Sequence, residues 1–167
     1  MKLSSIESLV RALNDARVPF VVVGGLAVVA HGYGRQTQDV DLVIRLRADC
    51  IHAAFTALAS LGYRPRIPVT AEMLADPAVR ERLVRERGML VLAFHSESHP
   101  ETPVDIFASE PFDFEAEHAA AMIVELSPGA SARVVRLEAL LAMKRAADRP
   151  QDRADVAELT SIHGSRP

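Results

Sequence analysis

The sequence predicts one domain of the α/β (α+β) class, because short apolar strands alternate with amphipathic helices along its 167 residues. The first observation is the run FVVV at 20–23, which has the composition of a buried strand and lies between Pro19 and the pair Gly24-Gly25. The second is the run DVDLVI at 39–44, in which apolar residues alternate with the rest, as in a half-buried strand. The third is the helical periodicity of the segments that separate such runs.

The remaining elements follow from periodicity and from the residues that begin or end helices. Helices are predicted from Ser4 or Ser5 to about residue 16, and at 48–61, 70–75, 77–88 (with Asp76 as its cap and Pro77 at its first position), 112–121, 137–147 and 152–163. Further strands are predicted at 63–67 (an edge strand, because of its prolines), 89–94, 103–108, 122–126 and 132–135. The strands at 89–94 and 103–108 are expected to pair around a polar loop, and the last two around a Pro-Gly turn.

Composition places the chain among ordinary soluble proteins, with 49% hydrophobic and 25% charged residues. The net charge of −3 gives no reason to expect sequence-independent binding of nucleic acid, although a local basic patch is compatible with it. The single cysteine, Cys50, has no internal disulfide partner, which indicates a reducing cytoplasm and a small buried thiol. No apolar run is long enough to span a membrane, and no linker divides residues 1–167. We therefore expect a cytoplasmic single domain, with a sheet core at 1–135 and a C-terminal helical segment at 136–167.

Carboxylates on neighbouring strands are the main chemical clue. Asp39 and Asp41 share one face of their strand, about 6.6 Å apart at Cα, and repel each other unless a cation or a proton lies between them. Asp105 stands alone among apolar residues in the strand at 103–108, which costs stability unless it is exposed or paired. If the two strands are neighbours, about 4.8 Å apart, the three carboxylates converge on one face.

Such a convergence fits metal-assisted phosphoryl or nucleotidyl transfer. Mg²⁺ prefers oxygen ligands and is usually held by one or two carboxylates and by substrate phosphates. In a two-ion site, Asp39 and Asp41 would bridge both ions, and Asp105 would bind one ion and accept the proton of the attacking hydroxyl. Backbone amides at Gly24 and Gly25 would contact the triphosphate.

The ordered combination of Gly-Gly, Asp-Val-Asp and a later Val-Asp-Ile resembles the nucleotidyltransferase superfamily of the polymerase-beta type. The phrase GGLAVVAHGYGRQTQDVDLVI is similar to its small bacterial stand-alone members, among them the abortive-infection toxin-like nucleotidyltransferases, and so is the ending LEALLAMKRAADRPQDRADVAEL at 137–159. Together these segments cover about half of the chain.

The resemblance implies a nucleotidyltransferase-like mixed β-sheet flanked by helices, with C-terminal helices. It implies an NTP as donor, Mg²⁺ as cofactor, a nucleotide-binding turn at Gly24-Gly25, and Asp39, Asp41 and Asp105 as metal ligands. It further places certain polar residues beside the nucleotide: Arg35, Thr37, Lys144 and, near them, Asp152. The sequence departs from the Gly-Ser turn of many members, so a serine hydroxyl is not present there to contact a phosphate.

Three functions account for some or all of these features. The first is transfer of a nucleoside monophosphate from an NTP to the hydroxyl of an unknown acceptor, which is a protein, a tRNA end or a small molecule. A toxin–antitoxin or defence role, with a cognate partner protein, would follow only from the resemblance. The second is a catalytically weak relative that binds a nucleotide or a partner as a regulatory module, against which the intact aspartates argue. The third, a dinucleotide-binding fold, lacks the G-x-G-x-x-G fingerprint and is rejected.

Other charged groups have simpler interpretations. The arginines of the helix at 77–88 alternate with acids, which favours a solvated face over a phosphate-binding one. His95 and His99 are expected to be solvated loop residues and not metal ligands. Two interpretations are open for four charged residues near the C-terminus: they form ion pairs on the surface, or they lie beside the site. The residues are Arg149, Asp152, Arg153 and Asp155.

Overall fold

A seven-stranded mixed β-sheet with helices around it forms the protein, as seen in a computed structural model that describes residues 1–164. The strands are β1 (Phe20–Val22), β2 (Val40–Ile44), β3 (Arg64–Pro65), β4 (Val91–His95), β5 (Val104–Phe107), β6 (Met122–Ser127) and β7 (Ala130–Val134). Their order across the sheet is β3-β4-β5-β2-β1-β7-β6. Two neighbouring pairs are parallel, β2 with β5 and β1 with β7, and the other pairs are antiparallel. The expected mixed sheet is thus confirmed.

Eight helices connect these strands or follow them in the described part of the chain. They are α1 (Leu3–Asp15), α2 (Gly24–Ala30), α3 (Ala48–Ser60), α4 (Ala71–Ala75), α5 (Pro77–Arg87), α6 (Phe114–Ala120), α7 (Leu137–Ala147) and α8 (Pro150–Gly164). No helix among residues 1–164 combines the length and the apolar character that crossing a membrane requires.

One face of the sheet is completely buried across its central strands. Leu42 of β2, Ile106 of β5 and Phe94 of β4 are at most 1% exposed on this face. Helix α3 covers it, and Phe55 of α3 meets Phe94 edge to face with ring centroids 5.2 Å apart. The aspartates of β2 and β5 lie on the other face because side chains alternate along a strand.

Most helix signals in the sequence act as expected. Asp76 accepts hydrogen bonds from the amides of Ala78 and Val79, Pro77 is the first residue of α5, and Gly88 ends the helix with a φ of 61°. Thr70 caps α4 in the same way through the amide of Met73. No residue of α5 is buried, in agreement with a solvated charged face.

The predicted serine cap of α1 is wrong. The helix begins at Leu3, and Ser5 is buried within its first turn, where its hydroxyl lies 2.9 Å from Nδ1 of His99. The imidazole of His99 also stacks on Tyr63, with ring centroids 5.7 Å apart. His99 is therefore a packed residue that fixes the loop between β4 and β5, and not the solvated histidine that we expected, whereas His95 is exposed.

Candidate functional site

Three carboxylates meet where β2 and β5 run side by side. Asp41 of β2 lies directly opposite Asp105 of β5 in a parallel register, so both side chains point to the same face. Asp39 joins them from the bend just before β2, and not from the strand itself as we expected. Ligand oxygens of all three lie within 4.8 Å of one another. The predicted convergence is present because the two strands are neighbours.

The three carboxylates are electrostatically strained in the absence of a cation. Burial, followed by the charges of Asp39 and Asp105, raises the pKa of Asp41 to about 6. Burial and the charge of Asp39 also raise the pKa of Asp105. The amide of Gly25, which donates to the Asp41 carboxylate, and the positive charge of Lys144 partly oppose the rise in the pKa of Asp41. The site therefore favours positive charge.

Gly24 allows the first turn of α2 to lie directly against Asp41. Its φ of 61° is in the left-handed region, and a Cβ at this position would lie 1.8 Å from Oδ2 of Asp41. No other amino acid fits without displacing the carboxylate. The glycine that the sequence marked as a strand terminator is thus a structural requirement of the aspartate site.

Gly25 has a different neighbour, in the loop that precedes β2. A Cβ on Gly25 would lie 2.2 Å from the Thr37 hydroxyl oxygen and 3.2 Å from Nη2 of Arg35. Thr37 and Arg35 therefore lie beside the Gly-Gly turn. The space that a serine side chain would need at position 25 is already occupied by Thr37, which accounts physically for the Gly-Gly form of this turn.

A buried ionic cluster connects this loop to the C-terminal helices. Arg35 donates to both carboxylate oxygens of Asp155, at 2.7 and 2.9 Å, and the Asp155 side chain is fully buried. Lys144 of α7 lies 2.8 Å from Oδ1 of Asp152 and 2.8 Å from Oδ2 of Asp155. Gln151 donates a further hydrogen bond to Asp155. The cluster contains two cations and two anions and is therefore neutral overall.

Hydrogen bonding keeps Asp155 ionised in spite of its burial. Burial alone raises its pKa, but hydrogen bonds from Arg35, Lys144 and Gln151 outweigh that effect and leave the pKa below the usual value. Asp155 therefore holds Arg35 and Lys144 in fixed positions beside the aspartate site.

The surface interpretation of the C-terminal charges is wrong for two residues and correct for two. Asp152 and Asp155 are buried, while Arg149 and Arg153 are exposed. Among the apolar residues of helix α8, Leu159 is fully buried, whereas Ile162 is exposed. The missed signal is the spacing of Asp152, Asp155 and Leu159, which places all three on one helical face.

The donor set fits Mg²⁺. All three ligands are carboxylates, the oxygen donors that this ion prefers, and all three side chains are only partly buried, which leaves room for water and for phosphate oxygens. Opposite ligands of a single Mg²⁺ are about 4.2 Å apart, twice the ion–oxygen distance, so oxygens within 4.8 Å of one another would move closer together to bind one ion. The raised pKa of Asp41 gives the same indication, because a bound cation would relieve the repulsion that raises it.

No protein-family model matches the chain, and no curated protein matches it either. Several solved structures are similar to the chain in fold. The solution structure of the antibiotic-resistance factor ANT(2″)-Ia superposes with a TM-score of 0.61 at 15% identity, over 95% of this chain and 82% of that chain. A crystal structure of ANT(2″)-Ia in complex with adenylyl-2″-tobramycin gives 0.59 at 16% identity, over 97% and 90%. The lincosamide antibiotic adenylyltransferase LnuA, bound to lincomycin, gives 0.53 at 15% identity, over 89% and 90%.

At this level of identity the likeness concerns the fold. The chain shares the fold of these three structures over nearly its whole length, and the nucleotidyltransferase-like fold that its motifs predicted is confirmed.

Proposed function

We propose that the protein is a Mg²⁺-dependent nucleotidyltransferase that transfers a nucleoside monophosphate from an NTP to a hydroxyl group. The observation that carries this proposal is the convergence of Asp39, Asp41 and Asp105 within 4.8 Å, beside the Gly24-Gly25 turn, in this fold. The three structural neighbours support it, since two are structures of ANT(2″)-Ia, one with an adenylylated antibiotic, and the third is an adenylyltransferase.

Asp39 and Asp41 would hold two metal ions, and Asp105 would hold one of them. When bound, these ions would neutralise the triphosphate and stabilise the attacking and leaving oxygens. The donor would lie against the Gly24-Gly25 backbone, where the absence of side chains allows close approach. Thr37 and Arg35, which lie beside Gly25, would donate hydrogen bonds to the phosphates, and Lys144, whose charge acts on Asp41, would lie near them.

The acceptor hydroxyl would attack the α-phosphorus of the NTP. The new bond joins the acceptor oxygen to this phosphorus, the bond to the β-phosphate oxygen breaks, and pyrophosphate leaves. Asp105 would take the proton of the hydroxyl.

The wider biological setting stays a prediction. A toxin–antitoxin or defence role and a cognate partner protein are supported only by the sequence resemblance, and a cytoplasmic location only by the single cysteine. Two of the neighbouring structures contain an antibiotic or its adenylyl derivative, so small-molecule acceptors have a precedent in this fold.

Calorimetric titration with a non-hydrolysable ATP analogue, with and without Mg²⁺, tests the proposal. We expect binding by the wild-type protein only with Mg²⁺, and loss of binding in the Asp39→Ala/Asp41→Ala variant. Arg85→Gln, on the exposed helix α5, serves as the control and should bind as the wild type does. If none of the four common NTPs or their analogues binds, the nucleotidyltransferase proposal is overturned in favour of a regulatory module.

A further inference from the structure

The sheet face that carries the aspartates is open over β3, β4 and β5. On the opposite face every side chain of β4 and β5 is buried, whereas on this one Ala93 and Phe107 are partly exposed and His95 is exposed. Ala93 has only a methyl side chain, so β4 places no large side chain between Asp105 and the edge strand in this row. A ligand that contacts Asp105 can therefore extend across β4.

Strand register places an arginine at the far end of this surface. Asp41 is opposite Asp105, and Asp105 is opposite Ala93. The pairing of β3 with β4 continues beyond Pro65, because the amide of Arg66 donates to the carbonyl of Ala93 at 2.8 Å. Asp41, Asp105, Ala93 and Arg66 thus form one row across four strands, on one face of the sheet. Arg64 lies two residues earlier on that same face, opposite His95.

These two arginines have free guanidinium groups. Both are exposed, and neither forms a side-chain hydrogen bond or an ion pair with another residue of the described part of the chain. Some other exposed arginines are paired: Arg47 with Asp49, Arg85 with Glu81 and Glu86, and Arg153 with Asp148. Others among the described residues are unpaired as well, namely Arg17, Arg82, Arg87 and Arg145, so what distinguishes Arg64 and Arg66 is their place on the face that carries Asp105.

We propose that this open face is the acceptor site and that it takes a small alcohol that carries a phosphate group. The inference rests on the proposed nucleotidyltransferase activity and adds the class of acceptor to it. The hydroxyl would lie at Asp105, and the phosphate would lie against Arg66 and Arg64, whose planar guanidinium groups match phosphate oxygens. Two inter-strand spacings, about 9.6 Å at Cα, separate Asp105 from Arg66, which is the scale of a sugar phosphate.

The charges of the protein favour this class of acceptor over two others. A polycationic acceptor such as tobramycin would bring positive charge against two unpaired arginines. A polynucleotide would benefit from the arginines, but the chain has a net charge of −3, which opposes the approach of a long polyanion. A small acceptor with one phosphate needs only the local patch.

The reaction balances as an ordinary transfer. The acceptor oxygen forms a bond to the α-phosphorus, the bond between that phosphorus and the bridging oxygen breaks, and pyrophosphate leaves with the electron pair. The hydroxyl proton passes to Asp105. The acceptor's own phosphate does not react and serves only to position the hydroxyl.

Inorganic phosphate is titrated into the protein in the presence of Mg²⁺ and a saturating ATP analogue. Binding is monitored by NMR through the chemical shifts of the backbone amides. We expect shifts at Arg64, Arg66 and Ala93, and a loss of phosphate affinity of about tenfold or more in Arg64→Gln/Arg66→Gln. Arg85→Gln is the matched control and should bind phosphate as the wild type does. Unchanged phosphate affinity in the double variant would overturn the acceptor site. Loss of ATP-analogue binding in the double variant would also overturn it, because the arginines would then bind the donor triphosphate.

Transfer is tested with ATP labelled at the α-phosphate and with matched acceptors: sugar phosphates, the same sugars without phosphate, tobramycin, and short single-stranded RNA. We expect label on the sugar phosphates, with kcat/KM reduced at least about tenfold by Arg66→Gln. Label on tobramycin or RNA alone would overturn the acceptor class and leave the nucleotidyltransferase activity in place. Failure of the wild-type protein to bind any nucleotide would overturn both proposals.

Discussion

Asp41 is the single residue at which the electrostatics of the site converge. It lies between Asp39 and Asp105 and against the backbone of Gly24, so its negative charge is both partly desolvated and close to two like charges. The residue therefore costs folding free energy in the absence of a cation. Such a cost is expected at a site that binds a metal, because the ion removes it.

Asp41→Asn should stabilise the metal-free protein while abolishing nucleotidyl transfer. The folded protein holds a proton on Asp41 more tightly than the unfolded chain does, since the pKa rises from 3.8 to about 6. The wild-type protein consequently loses stability as the pH rises through this interval, and the variant does not. Above it, the variant should be more stable by about 1–3 kcal/mol.

Urea denaturation in EDTA at pH 4 and pH 7.5 measures this difference. The stabilisation should be present at pH 7.5 and nearly absent at pH 4. Asp49→Asn is the control, because a hydrogen bond from Arg47 lowers the pKa of this exposed aspartate, and its replacement should give no stabilisation. A variant at position 41 that is less stable than the wild type at pH 7.5 would contradict the electrostatic account.

Among the elements, the turn from β1 into α2 is the one that brings backbone to the aspartates. Val23 donates its amide to the carbonyl of Asp41, which extends the pairing of β1 with β2 as far as the turn. Gly24 then redirects the chain with a positive φ, and α2 begins over the carboxylate. The short helix is positioned by this glycine and not by a side-chain cap, since α2 has none.

Gly24→Ala should therefore lower the free energy of unfolding by more than the unfavourable backbone conformation alone explains. Gly88 provides the comparison, because it has the same φ of 61° but open space where a Cβ would go. We expect Gly88→Ala to cost about 1–2 kcal/mol, from conformation only. Gly24→Ala should cost about 1–3 kcal/mol beyond that, from overpacking against Asp41.

Thermal and urea denaturation of both variants give the comparison. Gly34→Ala is a second control, with open space and no positive φ, and should be close to neutral. Equal losses at positions 24 and 88 would show that the carboxylate moves aside at little cost.

At the scale of the whole molecule, the buried ionic cluster joins parts of the chain that are more than a hundred residues apart. Arg35 comes from the loop before β2, Lys144 from α7, and Asp152 and Asp155 from α8. Helix α8 is thereby attached to the site through its acids as well as through Leu159. The C-terminal helices therefore contribute charged groups to the surroundings of the aspartates.

Asp155→Ala should destabilise the protein by about 3–5 kcal/mol, because Arg35 loses its carboxylate partner and the buried cluster, in which Asp152 still pairs with Lys144, keeps one uncompensated positive charge. Arg153→Ala, which removes an exposed ion pair on the same helix, should cost less than about 1 kcal/mol. Urea denaturation at pH 7 measures both. Similar costs for the two variants would mean that the cluster is not a significant source of stability.

Local patterns in the sequence were sufficient for most elements and for the identity of the aspartates. Strand alternation, the Asp76-Pro77 start of α5 and the Gly-Gly break act over a few residues, so they can be recognised without any knowledge of the fold. The same patterns failed for Ser5 and His99, because a partner 94 residues away decides what each does. They also failed for Asp155, whose burial depends on cations supplied by another helix and by a distant loop.

The sequence by itself therefore determined the fold class, the aspartates and the glycines of the site. Only the tertiary structure decided which strands are neighbours, that the C-terminal acids are buried, and that Arg64 and Arg66 share an open face with Asp105. The physical reason is the sequence separation over which each kind of interaction acts. Periodicity and capping are local interactions, whereas strand order, burial and the pairing of charges depend on contacts between residues far apart in the chain.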